Sequence, residues 1–199
     1  MLEQEYHAST RRSVLVIAAG VVLTLIAAYL FSTLGMKDAA LFQTVDAVTR
    51  YFDGTLDGGA DAAMNKIILL LRLPRVLLAI IAGAGLALAG ALMQSVTRNY
   101  LVSPFTLGIS SAAALGASLC IVLAAGTALD SDLGIITSAF LLSCACGLIV
   151  YGIAQRSGLS PTTIVLVGIA LNYFFSALTA TLEFFAQEHK LAAVIQWTF

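Results

Sequence analysis

Five long apolar stretches constrain this chain more than any other feature of its sequence. A bilayer core about 30 Å thick requires roughly 20 mostly apolar residues in a helix that rises 1.5 Å per residue. Five stretches meet that requirement: residues 14–34, 74–93, 107–128, 133–153 and 162–185. The sequence therefore predicts an all-α integral membrane protein, a polytopic helix bundle with five transmembrane helices in one transmembrane domain over residues 1–199.

The composition excludes several classes of protein. Hydrophobic residues make up 60% of the chain and charged residues only 11%, whereas a soluble domain has about a quarter charged. The net charge of -1 gives no basic excess, so we expect no nucleic-acid partner. Three cysteines, Cys120, Cys144 and Cys146, lie inside apolar stretches and are interpreted as packing residues. His7 and His189 are far apart, so no metal site and no cofactor are predicted.

Residues 35–66 form the only long polar segment and carry five aspartates. Within it, apolar residues recur at helical spacing: Leu41, Phe42, Val45, Val48 and Phe52. This pattern predicts an amphipathic helix that lies on the membrane surface, in an external loop between the first two spans.

The short loops favour a cytoplasmic N-terminus, because Lys and Arg are enriched in cytoplasmic loops. That orientation places four arginines inside: Arg11, Arg12, Arg98 and Arg156. The short external connections then hold Asp130, Asp132, Glu188 and a single lysine, Lys190. Five basic residues would then lie outside and count against this orientation: Lys37, Arg50, Lys66, Arg72 and Arg75.

Arg72 and Arg75 flank a proline in the run Leu71-Arg72-Leu73-Pro74-Arg75. Pro74 suits the first turn of a helix and disfavours a helical Leu73, so the second span is expected to begin here. Both arginines would then lie at the positive end of the helix dipole. They either reach lipid phosphates or present guanidinium groups to a partner's carboxylates, and the residues alone leave both interpretations open.

Small residues recur every four positions in the second and third spans, which allows helix backbones to approach closely. They are Gly83, Ala87 and Ala91, then Gly108, Ala112 and Gly116, with Gly90 in the same apolar run. Asn172 is a polar residue inside the fifth span and is a candidate for the translocation pathway or for an interhelical hydrogen bond. No ATP-binding or hydrolase motif occurs, so no catalytic residue is predicted.

Several motifs, taken in order, resemble one family. They are Leu71-Arg72-Leu73-Pro74-Arg75, the run from Gly83 through Gly90 to Gln94, Arg98-Asn99, Pro104, Leu107-Gly108, Gly116-Ala117, residues 166–171 and Gln196-Trp197. This order resembles the permease subunits of bacterial ABC importers for ferric siderophores, haem and cobalamin. Tyr100 is a departure, because the family commonly has proline at that position.

The resemblance implies the first half of a ten-helix permease in the bacterial cytoplasmic (inner) membrane. Such a subunit pairs with a second permease subunit, is driven by two cytoplasmic ATPase subunits, and receives a metal chelate from an extracytoplasmic binding protein. The resemblance also implies that the chain itself is not an enzyme. Because the second half and its coupling segment are absent from these 199 residues, the chain is expected to be a truncated product or a fragment.

By the same resemblance, Arg72 and Arg75 match arginines that meet glutamates on the binding protein. Ser160, Thr162 and Thr163 match the inner connection that contributes to the cytoplasmic gate, and the gate hydroxyl is assigned to Thr162 rather than to Pro161. The fifth span, which carries Asn172, matches the helix that lines the pathway.

A second class of function fits the same residues. A secondary transporter or channel subunit could use Asn172 and Glu183 along its path, with transport driven by an ion gradient and without an ATPase. A membrane assembly subunit with no pathway is a third interpretation.

The predicted topology places Ser131 and Ser157 on opposite sides of the membrane, at the two ends of the fourth span. Single cysteines at these positions, in a background without the three native cysteines, should react with an impermeant thiol reagent from opposite sides. Labelling of both from one side would contradict the assignment of spans.

Overall fold

The computed structural model describes residues 2–33, 43–55, 62–124, 126–127 and 131–198, and all regular elements within these ranges are helical. The α-helices are α1 (Leu2–Thr33), α2 (Gln43–Phe52), α3 (Ala62–Ile67), α4 (Leu73–Thr97), α5 (Ile109–Leu123), α6 (Asp132–Arg156), α7 (Pro161–Phe185) and α8 (Glu188–Thr198). A π-helical segment (Ile68–Arg72) joins α3 to α4, and a 3-10 helix (Pro104–Leu107) precedes α5. The predicted all-α fold is confirmed.

Four helical stretches among the described residues are long and apolar enough to cross a bilayer. They are Thr10–Phe31, Ala62–Thr97, Asp132–Arg156 and Pro161–Phe185. They correspond to four of the five predicted spans and make this a multi-pass membrane protein. The remaining predicted span, 107–128, contains the shorter helix α5, so the number of spans stays a prediction.

Helix α5 is shorter than its apolar stretch because backbone conformation ends it at both sides. Gly108 has a left-handed backbone (φ 75°) that separates α5 from the 3-10 helix, and Ala124 leaves helical geometry with ψ 3°. Its 15 residues rise about 22 Å, which is less than the hydrocarbon thickness of about 30 Å. Leu107, the first residue of the predicted span, belongs to the 3-10 helix instead.

The chain divides into two compact units, residues 1–85 and residues 86–199. In the first unit, α2 contacts α1, α3 and the π-helical segment, and it buries Thr44 and Ala47. Val45 and Phe52 are exposed, so α2 has one covered and one open face. Its location on a membrane surface stays a prediction. Leu41 and Phe42, like residues 35–40, 56–61 and Asp130, lie outside the described residues.

In the second unit, α5 is the central helix and packs against α6, α7, α8 and the 3-10 helix. The core of this unit consists of side chains from α5, α6 and α7: Ala112, Leu115, Cys146, Val150 and Phe175. Cys120 and Cys146 are buried, which confirms the packing interpretation for these two, whereas Cys144 is exposed.

Gly116 is the point at which the backbones of α5 and α6 come closest. A Cβ atom built there would lie 2.5 Å from the Ser138 carbonyl oxygen and 2.9 Å from the Ala139 Cα. The Ser138 hydroxyl also donates a hydrogen bond of 2.9 Å to the Gly116 carbonyl. Only glycine fits this contact without displacement of a helix, so α5 and α6 are fixed relative to each other here.

Candidate functional site

Arg72 and Arg75 lie within one continuous helical stretch, Ala62–Thr97. Leu73 has φ -58° and ψ -46°, and its N–H donates to the Ile68 carbonyl oxygen in the i→i-5 pattern of a π-helix. Pro74 lacks an N–H and its ring crowds the carbonyl of Leu70, and a wide turn just before it lets the helix continue. The two arginines are three residues apart and project from one face.

This geometry corrects two expectations. A helical Leu73 shows that the helix does not begin at Pro74, although the residue before a proline is usually extended. The N-terminus of the continuous helical stretch is at Ala62, ten residues before Arg72. Because the dipole acts mainly within the first turn, neither arginine is opposed by it, and the expected position of both at the positive end of a helix dipole is wrong.

Arg75 is exposed and lines a cleft of ≈ 600 Å³ within the first unit. The other side chains of this cleft come from α1 and α4, among them Thr24, Phe31 and Ile80. Gly83 also lines it, and no heavy atom lies within 4 Å of the position that a Cβ would occupy there. Close packing at Gly83 therefore stays a prediction.

The 3-10 helix is seated on α7 through two glycines. A Cβ at Gly108 would lie 2.8 Å from the Asn172 nitrogen, and a Cβ at Gly168 would lie 2.6 Å from the Thr106 carbonyl oxygen. From α6, the Cys146 thiol donates to the Leu107 carbonyl oxygen at 3.5 Å. A Cβ at Gly90 would lie 3.7 Å from Pro104 Cδ, which is an ordinary van der Waals distance. The start of α5 is thus held between α6 and the middle of α7.

Asn172 lies on α7 at this contact, half-buried, with its backbone against Gly108. It is ten residues beyond Thr162 on the same helix, which corresponds to about 15 Å along the axis. The structure therefore does not bring Asn172 together with the predicted gate residues.

The connection between α6 and α7 carries Ser160, Thr162 and Thr163. Leu159 is in the left-handed region (φ 59°), and its N–H donates to the Ala154 carbonyl at 2.8 Å, which closes the end of α6. Ser160 is the N-cap of α7 but makes no side-chain capping bond. Thr162 is exposed and Thr163 is half-buried.

Thr162 lines a cleft of ≈ 220 Å³ in the second unit, opposite the end of α4. Thr97 and Asn99 contribute to this cleft, together with Pro161 and three apolar side chains of α7: Val165, Leu166 and Ile169. We call it the inner cleft. Two non-glycine residues near this cleft have a positive φ. Arg98 (φ 49°) lies between the lining residues Thr97 and Asn99, and Leu159 lies two residues before Pro161. Backbone strain of this kind clusters at functional sites.

The turn that contains Tyr100 is held by side chains rather than by a proline ring. The Gln94 amide donates to the Tyr100 carbonyl at 3.2 Å, and the Asn99 side-chain oxygen accepts from the Leu101 N–H at 2.9 Å. These bonds fix the turn beside the inner cleft despite the departure at Tyr100.

Two residues that make contacts between helices were not among the predicted site residues. Gly168 stands in the apolar run 166–171, where a glycine in a helix signals a close backbone approach. Lys190, which the sequence predicts as a charge in an external connection, donates through its ammonium group to the end of α5. Within the described residues, no group of three or more His, Cys, Asp or Glu is placed to hold a metal ion.

The apolar helices and the buried glycine contacts define a polytopic membrane helix bundle. Residues 21–199 match the model of the FecCD transport family, so the chain belongs to that family.

Individual relatives agree with this assignment. An ABC transporter permease protein of Methanocaldococcus jannaschii is 34% identical over all of this chain and 57% of its own length. The Fe(3+)-citrate import system permease protein of Bacillus subtilis is 34% identical over 87% of this chain and 50% of its own length. An inward-facing structure of a metal-chelate type ABC transporter covers 89% of this chain and 49% of that chain, with a TM-score of 0.65 and 28% identity. The chain spans about half the length of the relatives it matches.

The contact between Gly108 and α7 gives a testable expectation. Gly108→Ala adds the cost of a left-handed alanine and a collision with the Asn172 backbone, whereas Gly158→Ala (φ 67°) adds only the first, because no atom lies within 4 Å of its Cβ position. Gly108→Ala should therefore lower the free energy of unfolding by about 1–3 kcal/mol more than Gly158→Ala. Denaturant titration in mixed micelles, followed by helicity, measures the difference. Equal losses would contradict the close approach of α5 and α7.

Proposed function

We propose that this chain is the first half of the permease subunit of an ATP-driven importer of metal chelates, such as a ferric siderophore, haem or cobalamin. The similarity in fold to a metal-chelate type ABC transporter over 89% of this chain is the observation that carries the proposal. The Bacillus subtilis relative, whose name gives Fe(3+)-citrate as its cargo, supports a chelate as the substrate class.

The proposed assembly contains a second permease subunit, two cytoplasmic ATPase subunits and an extracytoplasmic binding protein. ATP hydrolysis belongs to the ATPase subunits, and the permease provides the path through lipid. The membrane is the bacterial inner membrane, with the N-terminus in the cytoplasm, as the short-loop arginines favour.

Helix α7 is the proposed wall of the translocation pathway. Asn172 supports this role because a polar side chain inside a span usually faces a helix interface or an aqueous path. Ser160, Thr162 and Thr163 at the cytoplasmic start of α7 are the proposed gate, supported by the inner cleft and by the strained backbone at Leu159. Gly108 and Gly116 are proposed packing positions in the bundle around this helix, and Gly83 and Gly90 are proposed packing positions of α4.

Arg72 and Arg75 are the proposed docking site for the binding protein. The predicted second span, residues 74–93, begins between these two arginines, so both lie at the outer edge of a core of about 30 Å. Cations on the outer side oppose the usual charge distribution, which supports a role for them in binding. Carboxylates of the binding protein would accept bidentate hydrogen bonds from the two guanidinium groups, which lysine reproduces poorly.

Charge reversal tests this docking role in the assembled transporter that contains this chain. The double variant Arg72→Glu/Arg75→Glu should slow association of the binding protein about tenfold at low ionic strength, because charge pairs at an interface rim steer encounter. The difference should shrink at high salt, since charges are screened over about 8 Å at physiological ionic strength. Stopped-flow or surface-based kinetics over a salt series measures both effects.

The matched control is Arg98→Glu/Arg156→Glu, which changes the net charge equally at residues predicted to be cytoplasmic. It should leave association unchanged. Reversing the matching carboxylates of the binding protein to lysine should restore part of the rate. Unaltered kinetics in the Arg72/Arg75 variant would leave contact with lipid phosphates as the better account of both arginines.

A further inference from the structure

A single lysine joins α8 to the end of α5. The Lys190 ammonium donates a hydrogen bond of 2.7 Å to the Val122 carbonyl oxygen, across 68 positions of sequence. Lys190 is in the first turn of α8, and Val122 is in the last turn of α5. Lys190 is half-buried, so this is a contact inside the second unit and not a solvent-exposed charge.

Both helix ends favour this bond. The last four carbonyl groups of a helix have no partner within it, and a cation near the C-terminus is attracted to the negative end of the dipole. In α5, the Cys120 carbonyl accepts from the Ala124 N–H at 2.9 Å, and the Val122 carbonyl accepts from Lys190. A lysine in the first turn of its own helix is disfavoured by the dipole of that helix, so the partner on α5 offsets an unfavourable position.

Apolar packing on the same face of α8 supports the bond. Val194 follows Lys190 by four residues, so the two share a face of α8, and Val194 is only 1% exposed. Helix α8 packs against α5, whereas Ile195 and Trp197 on α8 remain exposed. The helix therefore packs against α5 on one side, where Lys190 makes a polar contact and Val194 is buried.

We propose that Lys190 is a positioning residue that fastens α8 to the outer end of α5. The fastening follows from the contact itself; its relevance to transport rests on the proposed function, in which α5 supports the pathway helix α7. Loss of the ammonium group leaves the Val122 carbonyl unpaired and α8 held by Val194 and its neighbours alone. Helix α8 would then open more often from α5 without unfolding of the bundle.

Hydrogen exchange of the whole chain in lipid nanodiscs measures this opening. A hydrogen bond to a charged group is strong enough that Lys190→Met should speed exchange of the amides of residues 191–197 by about tenfold. Lys190→Arg keeps a cationic donor and should restore most of the protection. Trp197, the single tryptophan of the chain, should shift its emission in Lys190→Met and not in Lys190→Arg.

Arg156→Met is the matched control, because it removes one positive charge from the C-terminal turn of α6. It should leave exchange in α8 and the Trp197 emission unchanged. If Lys190→Met exchanges like the unaltered chain, the ammonium group is not a fastening and the proposal is wrong. None of these readouts requires a transport partner, so the docking experiment can fail while this one succeeds.

Should Lys190→Met fail to fold, the unaltered chain provides the test. Acetylation of Lys190, followed by mass spectrometry, is compared in nanodiscs and in the chain unfolded with urea and SDS. A bound ammonium group should react about tenfold more slowly in the folded chain. Equal rates at Lys190 would overturn the proposal.

Discussion

Close backbone contact at glycines is the constraint on which the second unit depends. Gly116 brings α5 against α6, and the reciprocal pair Gly108 and Gly168 seats the 3-10 helix against α7. In a bilayer the hydrophobic effect does not drive helices together, so contact area and directional bonds must hold them. The bonds from Ser138 and Cys146 to backbone carbonyls lie next to these contacts. The pathway helix proposed here is thus held by packing that larger side chains would exclude.

The arginine pair depends on a different constraint, the continuity of the helical stretch Ala62–Thr97. This stretch is longer than a bilayer requires, and it holds Arg72 and Arg75 in one continuous helix with the rest of the predicted second span. The π-helical turn before Pro74 preserves this continuity. A helix that began at Pro74 would leave Arg72 in the preceding loop, and no helix would then fix its position relative to Arg75.

Much of this architecture could be predicted from hydropathy, because a 20-residue apolar run has one main structural solution in lipid. The limits of α5 could not, since they depend on the left-handed backbone at Gly108 and on contacts with α7 that are remote in sequence. The helical conformation of Leu73 could not be predicted either. The residue before a proline is usually extended, but the π-helical turn here lets the helix continue. Of the candidate residues, Asn172 is predicted from its polar side chain inside a span and Thr162 from the family resemblance, and the continuous helix α7 keeps the two apart. The contact of Lys190 with α5 could not be predicted, because its partner is a backbone carbonyl, which no residue type identifies in a sequence.

On the proposed function, this chain belongs to a transporter powered by ATP rather than by an ion gradient. Uptake of a radiolabelled ferric chelate into proteoliposomes that hold the assembled transporter, with the binding protein outside and ion gradients collapsed by ionophores, tests it directly. Uptake should require ATP in the compartment of the ATPase subunits and should persist without any gradient. Uptake that follows an imposed ion gradient and proceeds without the ATPase subunits would contradict the claim.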